Sequence, residues 1–250
     1  MNEQELCKKR LMDLANQASQ REIVTFSNFL NLNEQNIFHE IQRTLAVSAR
    51  AFGGYELAQR QMIAFIPDAL CYEWNYPIHC ICATPAYPKF AEKLSHRDVL
   101  GAVMSFGIDR GKIGDIICKE QEYYIFCDEM ISDFLLENLG QIKHTMMKLS
   151  VREDLSQIQV ETEFEEKEES IASNRIDCII AKAYHLSRSE AARYLIEEKV
   201  FINGRCITNC NASCNTGEIV SVRGKGRFIF QNTDTINKKG KLRVKFFIYK

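Results

Sequence analysis

Residues 175–228 read RIDCIIAKAYHLSRSEAARYLIEEKVFINGRCITNCNASCNTGEIVSVRGKGRF. Ile176, Ile179, Ile180 and Ala183 fall on one face of a short helix. His185-Leu186-Ser187 makes a turn. Ser187, with Glu190 three residues on, forms a capping box that opens a second helix. Ala191, Ala192, Leu195 and Ile196 are its apolar side. Val200, Ile202, Asn203-Gly204 and Ile207 predict a β-hairpin with a tight turn. Asn215-Thr216-Gly217-Glu218 is a further turn, Ile219, Val220 and Val222 a strand, and Arg223-Gly224-Lys225-Gly226-Arg227 a basic turn. Two short helices followed by a small hairpin sheet make a compact unit.

The same stretch holds most of the positive charge. Residues 175–250 carry 15 basic and 6 acidic residues, a balance of +9. Residues 151–174 carry 2 and 8, and residues 1–150 carry 15 and 19, so the net −1 of the 250-residue chain conceals a strong asymmetry. A basic module behind an acidic segment is the electrostatic footprint of a protein that meets a polyanion. On the second helix Arg188 and Arg193, with Ser189 at its start, Lys199 at its end and Arg205 on the hairpin, can share a broad face. Guanidiniums suit bidentate phosphate contacts, and exposed N–H groups at a helix start suit a phosphate.

Composition is that of an ordinary globular chain, 46% hydrophobic and 26% charged. No apolar run reaches the eighteen or so residues of a membrane span. The polar start MNEQELCKKR carries no secretory signal, so the cytoplasm is expected. The ten cysteines form no CxxC pair and are expected to be reduced, mostly buried thiols. Cys206, Cys210 and Cys214 are evenly spaced, but zinc pairs use tighter spacing and no fourth ligand is evident; no metal or cofactor is expected.

Upstream, residues 2–20 have helical spacing. A second helix is expected from about Asn33 to Leu45, with Asn31 and Glu34 as a capping box. Val47–Phe52 reads as extended and Glu56–Arg60 as a short helix or turn. From Tyr76 onward the expected order is strand Ile78–Ala83, helix Ser95–Ser105, strands Ile113–Lys119 and Glu122–Cys127, helix Glu129–Leu139 and strand Ile142–Leu149. That is the β-α-β-β-α-β order of the split-βαβ plait, common among nucleic-acid binders. Tyr123, Tyr124 and Phe126 lie on its third strand, where plait proteins can stack bases, but they do not match the RNP1 pattern and packing is the better expectation. One strand is expected at Ile158–Phe164, within a charged linker.

Catalytic motifs fail on their own terms. His96-Arg97-Asp98 imitates a kinase catalytic loop, yet Val103 stands where its Asn belongs. Gly107 to Lys112 imitates a phosphate loop with too short a glycine spacing and Ile113 in place of Ser/Thr. Arg97, Arg110 and Lys112 are a possible second RNA or ribosomal surface; a solvated helix and turn explains them equally well.

Residues 173–230 resemble the alpha-L RNA-binding motif, the S-four domain. Arg175-Ile176-Asp177, Ser187-Arg188-Ser189-Glu190-Ala191, Val200, Asn203-Gly204-Arg205, Gly217-Glu218 and Val222-Arg223 carry the likeness. It departs at Glu197-Glu198-Lys199-Val200, where the family usually has a glycine before the valine, and at Glu218, usually aspartate. Val24-Thr25-Phe26-Ser27-Asn28-Phe29-Leu30, Gly53-Gly54-Tyr55-Glu56, Ser95-His96-Arg97-Asp98-Val99-Leu100-Gly101 and Gly107 through Ile116 extend the resemblance, to the YlmH family, over nearly the whole chain.

The resemblance implies an α+β protein: an N-terminal α/β unit over 1–74, a ferredoxin- or RRM-like plait over 75–151, an acidic linker over 152–172, and an S-four-like RNA-binding domain with a basic tail over 173–250. It implies a bacterial, ribosome-associated, monomeric RNA-binding protein, not an enzyme. Its partners would be rRNA or tRNA on the large ribosomal subunit, in rescue of subunits obstructed by peptidyl-tRNA. The expected RNA contacts are Arg175, Arg188, Ser189, Arg193, Lys199, Asn203, Arg205, Arg223, Lys225 and Arg227, and the tail Lys238-Lys239-Gly240-Lys241-Leu242-Arg243 would add nonspecific attraction. Two other functions remain open: an RNA-modifying enzyme, such as a pseudouridine synthase or methyltransferase, with residues 1–150 catalytic, and a cell-division adaptor.

Overall fold

The computed structural model describes residues 3–55, 58–68, 72–152, 164–237 and 240–249. The chain forms two compact units, Met1–Val160 and Glu161–Lys250, each of mixed α+β architecture built on antiparallel sheets.

The first unit starts with α1 (Glu3–Arg21), β1 (Thr25–Phe26), α2 (Leu32–Ile41), β2 (Ser48–Phe52) and β3 (Met62–Ile66). Asn31 caps α2 as the sequence suggests: its side chain accepts from the Asn33 and Glu34 amides, and Glu34 accepts from the Asn31 amide. The strands pair in the order β1-β3-β2. Central β3, the unbroken apolar run MIAFI, is buried on both faces. Ile63 and Phe65 pack on Leu11, Ala15 and Ala18 of α1 and Phe38 and Ile41 of α2, while Met62 turns the other way. Of the turn expected at 56–60, Glu56 and Leu57 lie outside the described residues.

A second layer follows: β4 (Ile78–Pro85), α3 (His96–Met104), β5 (Ile113–Lys119), β6 (Glu122–Asp128), α4 (Glu129–Asn138), β7 (Gln141–Ile142) and β8 (Thr145–Arg152). The last strand, expected as one piece from Ile142 to Leu149, is a hairpin that turns at Lys143, whose φ is +52°, and His144. The sheet order is β5-β6-β4-β8-β7, antiparallel throughout. Strand alternation sends Ile81, Ala83, Tyr123 and Ile125 to one face, against Val99 and Val103 of α3 and Leu135 of α4. Cys80, Cys82, Tyr124 and Phe126 point to the other face, where Phe29 and Met62 of the first layer cover them. Tyr123, Tyr124 and Phe126 are therefore buried packing residues, and the centre of the sheet offers no aromatic platform.

Three stretches quoted from the sequence meet where the layers join. The Phe29 amide donates to the Gly111 carbonyl at 2.8 Å. Asp115 accepts from the Tyr55 hydroxyl and from the Gln59 and Arg60 amides. A Cβ at Gly114 would lie 2.8 Å from Phe29 Cε1, so only glycine lets the start of β5 come this close.

The second unit comprises β9 (Phe164–Ile171), α5 (Ile176–Ala183), α6 (Arg188–Ile196), β10 (Val200–Ile202), β11 (Arg205–Cys206), β12 (Ile219–Val222), β13 (Gly226–Ile236) and β14 (Leu242–Tyr249). Its strands run β11-β10-β12-β13-β14-β9. The core lies between the helices and one face of the sheet. Ile176, Ile179, Ile180, Ala191 and Leu195 pack on Val200, Val220, Val222, Phe228, Phe230, Val244 and Phe246. The β10–β11 connection has φ of +47° at Asn203 and +78° at Gly204, the two-residue turn an Asn-Gly pair favours.

Two expectations change here. Residues 164–171, expected as acidic linker, form edge strand β9, paired along its whole length with β14. The strand expected from Ile158 lies, up to residue 163, outside the described residues. The segment after Arg227 is a long hairpin, β13 and β14, where a basic tail was expected; Lys238 and Lys239 lie outside the described residues. The signal was present, since Phe228 and Phe230, and Val244 and Phe246, alternate with outward residues.

Candidate nucleic-acid interface

Asp177 organises the basic surface. It occupies the first turn of α5 and is 4% exposed. Its Oδ1 accepts from Arg175 Nε at 3.0 Å and from the Cys178 amide at 2.9 Å; its Oδ2 accepts from Arg175 Nη2 at 2.9 Å and Arg188 Nη2 at 3.0 Å. Burial pushes this carboxyl up, but the bonds from Arg175, Arg188 and the Cys178 amide outweigh it, and it titrates below its ordinary value. One carboxylate thus fixes two guanidiniums, and the group keeps one net positive charge. The Arg188 side chain remains 65% exposed.

Arg188 sits at the start of α6, whose capping box is built as the sequence suggests: Ser187 Oγ accepts from the Glu190 amide and Glu190 Oε2 from the Ser187 amide. The Ser189 hydroxyl lies 3.0 Å from that of Ser187. The Ser187 bonds hold the Glu190 carboxyl below its ordinary value, and the charges of Arg193 and Lys225 add to the effect. The turn between β12 and β13 is therefore electrostatic neighbour to the first turns of α6. At the far end of the helix, Glu197 stands between Lys199, at 2.7 Å, and Arg193, at 3.8 Å. The Arg223 amide donates to the Lys199 carbonyl at 2.9 Å. Arg188, Arg193, Lys199 and Lys225 thus lie around α6 and the basic turn, with Arg175 joined through Asp177.

The other expected contacts lie elsewhere. Asn203 makes its turn, its side-chain oxygen accepting from the Ile219 amide at 2.9 Å. Arg205 is on short edge strand β11. Arg227 points to the sheet face away from the helices, its guanidinium 4.2 Å from the centroid of the Tyr249 ring; Arg223 covers Phe201 at 4.8 Å. Asp177, which holds Arg175 and Arg188 together, is the residue that a search for positive charge passes over, although it follows Arg175 by two positions.

Arg97, Arg110 and Lys112 do not converge. Arg97 is exposed on α3. Arg110 turns Nη1 onto the Ile113 and Gly114 carbonyls, and Lys112 pairs with buried Asp128 at 2.7 Å. Cys206 is exposed, Cys210 half-buried and Cys214 buried, with burial pushing the Cys214 thiol up. Among the described residues no cluster of His, Cys, Asp and Glu is placed to hold a metal, and no helix is long and apolar enough to cross a membrane.

Known proteins match across both units. The family model "YlmH, N-terminal" matches residues 3–70, and "Putative RNA-binding domain in YlmH" matches residues 79–156. The ribosome-associated protein quality control protein P2 of Bacillus subtilis (strain 168) is 26% identical over 222 residues, which cover 88% of this chain and 85% of that protein. The structure of the cell division protein ylmH from Streptococcus pneumoniae is similar with a TM-score of 0.52 at 19% identity, over 64% of this chain and 96% of that one. With two family models matching successive layers of the first unit and a relative aligned along most of its length, the chain belongs to the YlmH family.

Proposed function

We propose that this chain is a non-enzymatic, ribosome-associated RNA-binding protein of the cytoplasm, whose C-terminal unit is an S-four-like clamp for folded rRNA or tRNA on the large subunit. In this reading it serves quality control of subunits obstructed by peptidyl-tRNA, by occupancy, making no bond. The name of the Bacillus relative and the description of the matching RNA-binding family model support it. The observation that carries it is the Arg175–Asp177–Arg188 cluster, continued by Arg193, Lys199 and Lys225 in a unit with a +9 balance over residues 175–250.

Recognition is led by shape and charge. Folded RNA presents backbone phosphates and 2′-hydroxyls more readily than base edges. A guanidinium held by a buried carboxylate on one side and open on the other meets a phosphate without first losing its rotamer freedom. The sheet order β5-β6-β4-β8 of the first unit supports the plait reading for that domain. Its covered centre directs any RNA contact there to other surfaces.

Replacing Arg188 and Arg193 together by Glu tests the assignment. The double variant should keep its circular dichroism spectrum and lose cosedimentation with large subunits on a sucrose gradient. Unchanged cosedimentation and unchanged RNA affinity at moderate salt would refute the clamp.

A further inference from the structure

Within the first unit, a cavity of about 220 Å³ opens between α1, the start of α2 and the turn at Asp109–Gly111. Arg10, Arg60 and Arg110 line it. Arg60 spends Nε on the Ile113 carbonyl and Nη2 on those of Phe29 and Arg110; Arg110 spends Nη1 on those of Ile113 and Gly114. Neither guanidinium has a carboxylate in ion-pair contact among the described residues, and Arg60 Nη1 and Arg110 Nη2 keep donors to spare. Burial lowers the pKa of both; Glu34, Asp115 and Asp109 offset part of this at Arg60, while at Arg110 the neighbouring Arg60 charge adds to burial and Asp115 opposes it, leaving it at about 10. An anion reaching the spare donors would meet two half-buried guanidiniums side by side.

The rest of the lining carries both signs of charge. Glu34 and Asp109 are its carboxylates, and each accepts from a backbone amide, of Asn31 and of Gly111. Along the lining three arginines face two carboxylates, and Asp115, outside the lining, also acts on Arg60 and Arg110, so the surroundings are close to neutral and the site rests on the spare guanidinium donors. The Asn28 side-chain amide makes no hydrogen bond among the described residues, and Nδ2 would lie 3.0 Å from a Cβ at Gly111, so the absence of a side chain there keeps its approach open. At about 30 Å³ for each liquid water, the space admits a phosphate with several waters or part of a ribose.

We propose that this cavity is a phosphate-binding site, with Arg60 Nη1, Arg110 Nη2 and the Asn28 amide as donors and Arg10 adding charge from α1. The phosphate is either a diester of an RNA backbone or the group of a free mononucleotide. The site is separate from the C-terminal clamp and stands whether or not that reading holds.

The test uses the full chain, 15N-labelled, with Arg188→Glu and Arg193→Glu in place so that the clamp does not compete. It is titrated with inorganic phosphate, with adenosine monophosphate, and with a 5′-hydroxyl RNA trinucleotide whose phosphates are all diesters. Amide shifts centred on Phe29, Leu30 and Gly111 are expected. Asn28→Asp and, on the exposed side of α1, Arg10→Glu should each weaken the response at least about tenfold, the cost of turning an attractive contact repulsive. A response to the trinucleotide alone assigns an RNA backbone phosphate; a response to phosphate or the mononucleotide assigns a free one. No local shift with any of the three, or equal shifts in both variants, overturns the site. Undiminished RNA binding by the starting double variant would instead count against the clamp.

Discussion

Arg188 Nη2 lies 3.0 Å from Asp177 Oδ2, so a side chain from the start of α6 is anchored on a carboxylate from the first turn of α5. The carboxylate is buried and the guanidinium largely exposed. That asymmetry decides the role of the pair. A fully exposed ion pair would contribute little, whereas a buried acceptor holding two guanidiniums sets the direction in which both face solvent.

Asp177→Asn should therefore affect stability and binding together. Losing charged hydrogen bonds to two arginines costs about 2 kcal/mol. The Asp177 pKa is depressed on folding, so its stabilisation is fully present above the unfolded value, near 4, and lost as pH falls through the lower folded value. Urea midpoints measured from neutral to acid pH should show the wild-type advantage over the variant shrinking below about pH 4. An advantage that stayed constant would mean that the carboxylate does not carry the cluster.

The arrangement around α6 ranks the arginines. Arg188 and Arg193 line the proposed clamp, while Arg205 sits on the edge strand. Each phosphate contact removed should lower the slope of log K against log salt by about one. Arg188→Ala and Arg193→Ala should each show that loss in filter-binding titrations with structured RNA, and Arg205→Ala should keep the wild-type slope. Equal losses in all three would describe a diffuse cationic cloud.

What the sequence disclosed was mostly local. The capping boxes at Asn31 and Ser187 involve partners three residues apart, so spacing alone is enough to find them, and the structure builds both. The apolar faces of α5 and α6 were equally readable. Strand β9 was not, because its run of glutamates reads as solvated linker; the compensating cations Lys245 and Arg243 lie some 75–80 residues further along the chain. Arg110 and Lys112 looked like surface charges for the same reason: their partners are backbone carbonyls and an aspartate that only the fold brings near.

Arg60 gives a separate test of how the two layers of the first unit are tied. Its guanidinium joins the Phe29 carbonyl of one layer to the Arg110 and Ile113 carbonyls of the other. Arg60→Ala leaves the Phe29 carbonyl without its donor and removes one of two donors from the Ile113 and Arg110 carbonyls, which keep Arg110 Nη1 and the Ile113 amide; a donor lost where water cannot replace it costs about 1–3 kcal/mol. A loss of about 1–3 kcal/mol in urea unfolding of the full chain is expected. Arg60→Lys should recover little, since one ammonium cannot span three carbonyls in the fork geometry. Full rescue by lysine would show that charge matters there and geometry does not.

Strand β9 makes a last prediction, about what its acids do for binding. Glu166 pairs with Lys245 at 2.5 Å and Glu168 with Arg243 at 3.7 Å, on side chains about a third to a half exposed. Pairs this exposed contribute at most about 1 kcal/mol each, so the ladder is weak as a source of stability. Its larger effect is on the electrostatic field. Arg243, expected from sequence to attract RNA without specificity, and Lys245 beside it are neutralised, which lowers the pull of the hairpin on a polyanion. Glu166→Gln with Glu168→Gln should change the melting temperature by only a few degrees. It should raise affinity for unrelated RNA at low salt and steepen the salt slope by up to about two, as Lys245 and Arg243 become available to phosphates. If affinity for unrelated RNA stayed at the wild-type level, the acids of β9 would serve only to keep an exposed sheet edge from pairing with another chain.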